Sequence, residues 1–151
     1  MGVERTRAYL LSLPRVEETL QWDLLVYWVG DKAVGGRMFA TLEPEPGQAQ
    51  VMSFAAPPES FHDLLEIEGV RPAPYFARIH WVAVVDWQVF TERELHAHLQ
   101  RAYERVEAKL PTRTQRLLAL STREYKAAVR EARAAAKGRV PATKRVRRQP
   151  S

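Results

Sequence analysis

The sequence contains no cysteine. Disulfides, thiolate nucleophiles, iron–sulfur ligation and cysteine-based zinc sites are therefore excluded together. Long apolar runs are also missing. The longest, Leu24 to Val29, falls far short of the roughly 20 residues a membrane-spanning helix needs. The opening residues Met1-Gly-Val-Glu-Arg-Thr-Arg lack the apolar centre of a signal peptide. Of the myristoylation pattern only Gly2 and Thr6 are present, a match common by chance. These absences predict a cytoplasmic protein with no membrane partner. Glycine is sparse, and the Gly35-Gly36 pair lacks the spacing of a dinucleotide or phosphate loop. No cofactor and no catalytic residue is predicted.

What remains is ordinary globular material, with 46% hydrophobic and 27% charged residues in a chain of 151. That is enough for one domain with a core of its own, plus an appendage. The net charge of +5 conceals an uneven distribution. Residues 1–110 hold 11 Lys/Arg against 16 Asp/Glu, whereas residues 111–151 hold 12 against 2. A mildly acidic body thus carries a strongly basic C-terminal segment, and any electrostatic case for nucleic-acid binding rests on that segment.

Periodicity and breakers predict the elements. Val3, Tyr9, Leu10 and Leu13 mark a helix over 3–13, stopped by Pro14. A strand over 22–29 turns at Gly30-Asp31 into a return strand over 32–42, which Gly35-Gly36 interrupts with a bulge or a close backbone approach. A third strand covers 48–55. Pro58 opens a helix that Gly69 is expected to cap. The segment Pro72 to Asp86 begins as a proline-stiffened loop and becomes the best strand candidate, central in its sheet. Alternation over 79–85 places Ile79, Trp81, Ala83 and Val85 on one face, and His80, Val82, Val84 and Asp86 on the other. Thr91 and Glu94 form a capping box for a helix running to about Leu110, ended by Pro111. A short helix over 112–120 closes the domain. A second box, Ser121 and Glu124, precedes an Ala/Arg/Lys-rich helix over 125–137 that offers little to bury. Disorder is predicted from Gly138 onward.

Few residues suggest chemistry. His96 and His98 lie two apart on a helix and point about 200° apart, so they cannot share a metal; no metal site is predicted. His80 is a candidate pocket residue, although a histidine hydrogen-bonded to backbone is the commoner case. Tyr75, Trp81 and Trp87 are candidates for stacking a base or ligand, although aromatics around strands are more often core. Glu17 and Glu18 read as solvated neighbours.

Several short stretches occur in a telling order: Leu11 to Thr19, Gly36-Arg-Met-Phe-Ala40, Pro74-Tyr75 followed by His80-Trp-Val-Ala-Val84, and Lys109-Leu-Pro111. In this order they resemble the MmcQ/YjbR family over roughly residues 3–120. The resemblance implies a CyaY-like α+β fold and a DNA-binding role, itself inferred from similarity to a "double wing" domain. The chain departs from the pattern in the extra hairpin residues Asp31 to Gly35 and in residues 121–151. The iron-handling alternative of the frataxin-like fold needs an acidic ridge. The first helix offers only Glu4 against Arg5 and Arg7.

The reading is therefore an α+β domain over 1–120, an antiparallel sheet with helices on one face, followed by a basic helical and disordered tail over 121–151. The leading function is non-catalytic DNA binding through Arg139, Lys144, Arg145, Arg147 and Arg148 of the tail, with Arg37 on a hairpin wing and Arg78. The competing reading is a small-ligand or protein interaction module around Tyr75, Arg78, His80 and Trp81.

Overall fold

A computed structural model describes residues 2–45, 49–74, 76 and 79–148, with side chains as far as Gly138. Among them, six strands form one antiparallel sheet: β1 (Val16–Gln21), β2 (Leu24–Val29), β3 (Arg37–Leu42), β4 (Met52–Ala55), β5 (Val70–Pro72) and β6 (Trp81–Val84), in the order β1-β2-β3-β4-β6-β5. Five helices among the described residues complete the α+β fold: α1 (Val3–Ser12), α2 (Pro58–Leu65), α3 (Glu92–Lys109), α4 (Thr112–Leu118) and α5 (Thr122–Arg148).

The register makes one sheet face apolar. Tyr27, Ala40, Phe54 and Val82 stand side by side across β2, β3, β4 and β6, next to a second row of Leu25, Leu42, Met52 and Val84. Helix α3 lies across this face, with Leu95, Leu99, Ala102 and Tyr103 buried against it. Tyr103 meets Phe39 edge-on at 5.7 Å, the geometry that aromatic quadrupoles favour. α1 contributes Leu10 and α2 contributes Phe61 and Leu64 to the same core. The α3 capping box forms as expected: Thr91 Oγ1 accepts from the Glu94 amide at 3.1 Å, and Glu94 Oε1 accepts from the Thr91 amide at 2.8 Å.

The opposite face is lined by small or polar residues, Val26, Thr41, Ser53 and Ala83, all buried. Thr41 and Ser53 satisfy each other's hydroxyls at 2.6 Å. Phe76, from the connection between β5 and β6, packs on Trp81 at a ring separation of 5.2 Å.

Several expectations need correction. Val16–Gln21, for which no element is predicted, is a strand. The hairpin joining it to β2 turns at Trp22 and Asp23, whose φ angles are 54° and 62°. Two left-handed residues give the turn whose twist matches the flanking strands. For a bulky side chain this conformation costs about 1–2 kcal/mol. Gly30-Asp31 does not make a tight hairpin; a 3₁₀ turn over Lys32–Val34 follows, started by Asp31 Oδ1 accepting from the Ala33 amide at 2.8 Å. The close backbone approach occurs, because a Cβ at Gly36 would collide with the Gly30 carbonyl. The bulge, however, falls at Phe39, which has no partner between the Tyr27–Ala40 and Trp28–Met38 pairs. Gly69 does not cap α2, which ends at Leu65; with φ 89° it turns the chain into β5, a strand not expected from the sequence. Finally, α5 extends over Thr122–Arg148, past Gly138, where disorder is predicted. The abundant Ala, Arg and Lys favour helix.

Candidate nucleic-acid interface

Three basic residues of the body, Arg5, Arg7 and Arg15, are engaged in polar contacts. Arg5 pairs with Glu92 at 2.8 Å. Arg7 grips Glu18 through two nitrogens, at 2.6 and 2.8 Å. These bonds hold the Glu18 carboxyl below the ordinary range, and the Tyr27 hydroxyl adds to the effect by donating to it at 2.6 Å. Burial, and then this same bond, hold the Tyr27 phenol protonated. Arg15 serves structure: Nε donates to the Leu118 carbonyl at 3.1 Å and Nη2 to the Leu120 carbonyl at 2.6 Å. Arg37 is exposed at the first position of β3, opposite Val29, and like Arg93, Arg101 and Lys109 makes no ion pair among the described residues.

α5 carries a run of cations on one side. Arg123, Lys126, Arg130, Arg133 and Lys137 recur at offsets of 3, 7, 10 and 14 residues, so at about 100° per residue they fall within an arc of about 80°. All five are exposed, and among the described residues only Arg133 is held in an ion pair, with Asp31. The adjoining face carries Tyr125 and Val129, which bury themselves against Val34 of the 3₁₀ turn, with Leu117, Leu118 and Leu120 packed around them.

Polar contacts set the position of this docking. The Asp31 amide donates to the Tyr125 hydroxyl at 2.8 Å. The Arg15 guanidinium lies 4.6 Å from the centre of the Tyr125 ring, a distance favourable for a cation over an aromatic face. Thr114 Oγ1 donates to the Val34 carbonyl at 2.8 Å, fastening α4 to the same turn. Ser121 accepts from the Glu124 amide at 3.2 Å, so the second expected capping box starts the helix. The basic face is thus mounted on the domain over Thr122 to Arg133. Reasoning from the sequence misses this anchor. Its signal is the spacing of Tyr125, Val129 and Ala132 at i, i+4 and i+7, diluted because two of the neighbouring positions are alanine and the rest are charged.

The other residues singled out from the sequence disperse. Arg139, Lys144, Arg145, Arg147 and Arg148 belong to the last turns of α5, beyond the side chains described. Tyr75 and Arg78 lie outside the described residues. The alternation that sets His80 on the face opposite Trp81 fails, because the strand begins only at Trp81. His80 precedes it with φ 66°, its half-buried ring edge-on to Phe61 at 5.3 Å. Trp81 is 3% exposed and belongs to the core. His96 stacks on Tyr9 at 3.8 Å, while His98 lies between Phe54 and Phe90. The two histidines thus look away from each other, and burial lowers the pKa of His98.

Comparison with known proteins agrees with the architecture. The crystal structure of Deinococcus radiodurans protein DR2400, with a DUF419 domain, superposes with a TM-score of 0.68 at 24% identity, covering 80% of this chain and 89% of that one. No curated protein matches the sequence. The YjbR family model matches residues 11–105, a stretch running from the end of α1 through most of α3, and so the chain belongs to the YjbR family.

Proposed function

We propose that the protein is a non-catalytic DNA-binding protein whose affinity is largely electrostatic. The carrying observation is the exposed cationic stripe Arg123, Lys126, Arg130 and Lys137, fixed to an otherwise acidic domain and continued by Arg139, Lys144, Arg145, Arg147 and Arg148. A helix face of this kind follows a phosphate backbone, and such contacts position a protein without reading bases. Arg37, at the start of β3 just past the 3₁₀ turn that α5 packs against, is a secondary contact. The reading that centres a ligand on Tyr75, Arg78, His80 and Trp81 gains no support from the described residues, since the Trp81 indole is enclosed.

The test is duplex DNA affinity as a function of salt. Each neutralised phosphate contributes about −0.9 to the slope of log K against log[salt]. Truncation after Gly138 removes the distal cations and keeps the Tyr125 and Val129 anchor. It is expected to reduce the slope by about 4, leaving about 3.6 to the four cations of the stripe. Replacing Arg123, Lys126, Arg130 and Lys137 by Gln in the truncated chain should remove most of the remainder. Arg37→Ala should cost about one contact. Unchanged affinity and slope after truncation and stripe replacement would overturn the proposal.

A further inference from the structure

The two edges of the sheet are built differently. β5 is three residues long and carries Arg71 and Pro72, features that blunt an edge against further pairing. β1, at the other edge, runs six residues in unbroken register with β2, and its sequence Val-Glu-Glu-Thr-Leu-Gln holds neither proline nor lysine. The Gly30 amide donates to the Arg15 carbonyl at 2.8 Å, so these two residues form a bonded pair just before the strand. Bonded and non-bonded pairs alternate along an antiparallel ladder. Residues 15, 17, 19 and 21 therefore turn their backbone groups towards β2, and Glu18 and Leu20 turn theirs outward. Among the described residues no further strand or loop backbone bonds to them. We propose that β1 pairs with β1 of a second copy of this chain, antiparallel about a two-fold axis at Thr19, joining two six-stranded sheets into one.

Charge and apolar surface select this occupant and this register. Centring the pair on Glu18 would set two carboxylates opposite each other, which destabilises a cross-strand pair. Centring it on Thr19 places Glu18 opposite Leu20 of the second copy and Glu17 opposite Gln21, so like charges do not face each other. The Glu18 carboxylate already accepts from Arg7 and from the Tyr27 hydroxyl, and needs no countercharge from an incoming strand. Leu20 is 70% exposed, and Leu11, one turn from Arg7 on the same side of α1, is 41% exposed. Both lie at this edge on the helix-covered side of the sheet. In the two-fold pair each Leu20 rests beside the other copy's Arg7–Glu18 pair and covers the apolar stem of that arginine. A six-residue edge offers a small interface, below about 1,200 Å², the range of weak encounters. The dimer is therefore concentration-dependent. Nothing in this proposal rests on the DNA-binding reading.

The lack of cysteine makes the register directly testable in the full-length chain. In this pairing the two Thr19 residues form a non-bonded pair, with Cα atoms about 4.5 Å apart and within disulfide reach. Thr19→Cys is expected to convert to a disulfide-linked dimer in oxidised glutathione. Gln21→Cys is the control, because its counterpart in the second copy lies about 14 Å along the strand; it should cross-link at least about tenfold more slowly. By sedimentation equilibrium the parent should pass from monomer to dimer as concentration rises, with the Glu18 and Leu20 amides gaining protection from exchange. Leu20→Lys, which puts a charge on the edge, should weaken association about tenfold or more while keeping the parent's circular dichroism. A parent that stays monomeric would overturn the proposal and leave the edge to a different extended chain. Equal cross-linking rates for the two cysteine variants, or a Leu20→Lys protein that dimerises as tightly as the parent, would overturn it as well.

Discussion

The contact of α3 with the sheet and the contact of α5 with the 3₁₀ turn are two ways of fastening a helix. α3 buries Leu95, Leu99, Ala102 and Tyr103 into a core that also takes side chains from α1, α2 and five strands. α5 buries Tyr125 and Val129 against Val34 and relies otherwise on directional contacts: the Asp31 amide to the Tyr125 hydroxyl, Arg15 over the Tyr125 ring, and the Arg133–Asp31 pair. Apolar burial scales with area and is not screened by ions, whereas an ion pair with one exposed partner is weakened by screening. The first helix is therefore part of the cooperative unit. The second, held by a small seam, is expected to open separately from the domain.

The largest effect should come from the core side of this comparison. Trp81→Ala empties a site that is 3% exposed and should cost about 3–5 kcal/mol, as large core truncations do. The whole domain should lose stability together, read as a lower midpoint in chemical denaturation by every probe. A loss confined to one probe would break the claim that the sheet and α3 unfold as one.

Tyr125→Ala should behave differently, although its side chain is nearly as buried, at 4%. It removes the seam's main apolar contact and the acceptor for the Asp31 amide. Protection of α5 against amide exchange should fall by about 2–3 kcal/mol, while the sheet keeps its own, since an element joined by a small seam opens locally before the domain does. Equal loss of protection in β2, β3 and α5 would merge the two regions into one.

The smallest effect concerns pH and sharpens the comparison at α1. The folded-state pKa of Glu18 is depressed, chiefly by its bonds from Arg7. The stability it contributes is present above its ordinary value near 4.5 and is lost as pH falls below that towards the folded pKa. Between pH 5 and 3, taken as roughly one unit either side of ordinary carboxylate values, the parent chain should lose more stability than Glu18→Gln. Parallel pH profiles in denaturation would show that the pair does not couple α1 to β1.

The sequence by itself determined the elements whose cause is local. Thr91 with Glu94 starts α3 and Pro111 follows its end. Pro58 starts α2, and the 3.6-residue stripe of α3 marks its buried side. The acidic body and basic C-terminal segment are likewise plain in composition, and the resemblance to the YjbR family is carried by short motifs in order. The tertiary structure alone decided what depends on partners distant in the chain. Trp22 and Asp23 carry no hairpin-turn signature; their left-handed geometry is imposed by the pairing of Gln21 with Leu24 on either side. Strand β5 is three residues long and exists because β6 accepts it, register Val70 to Val84. His80 leaves the alternation because the chain must turn before Trp81 can be buried. The seating of α5 rests on Asp31 meeting Tyr125 and Arg133, 94 and 102 residues away. Local propensity speaks for a few residues at a time, whereas these contacts stabilise the fold only after the sheet has brought remote segments together.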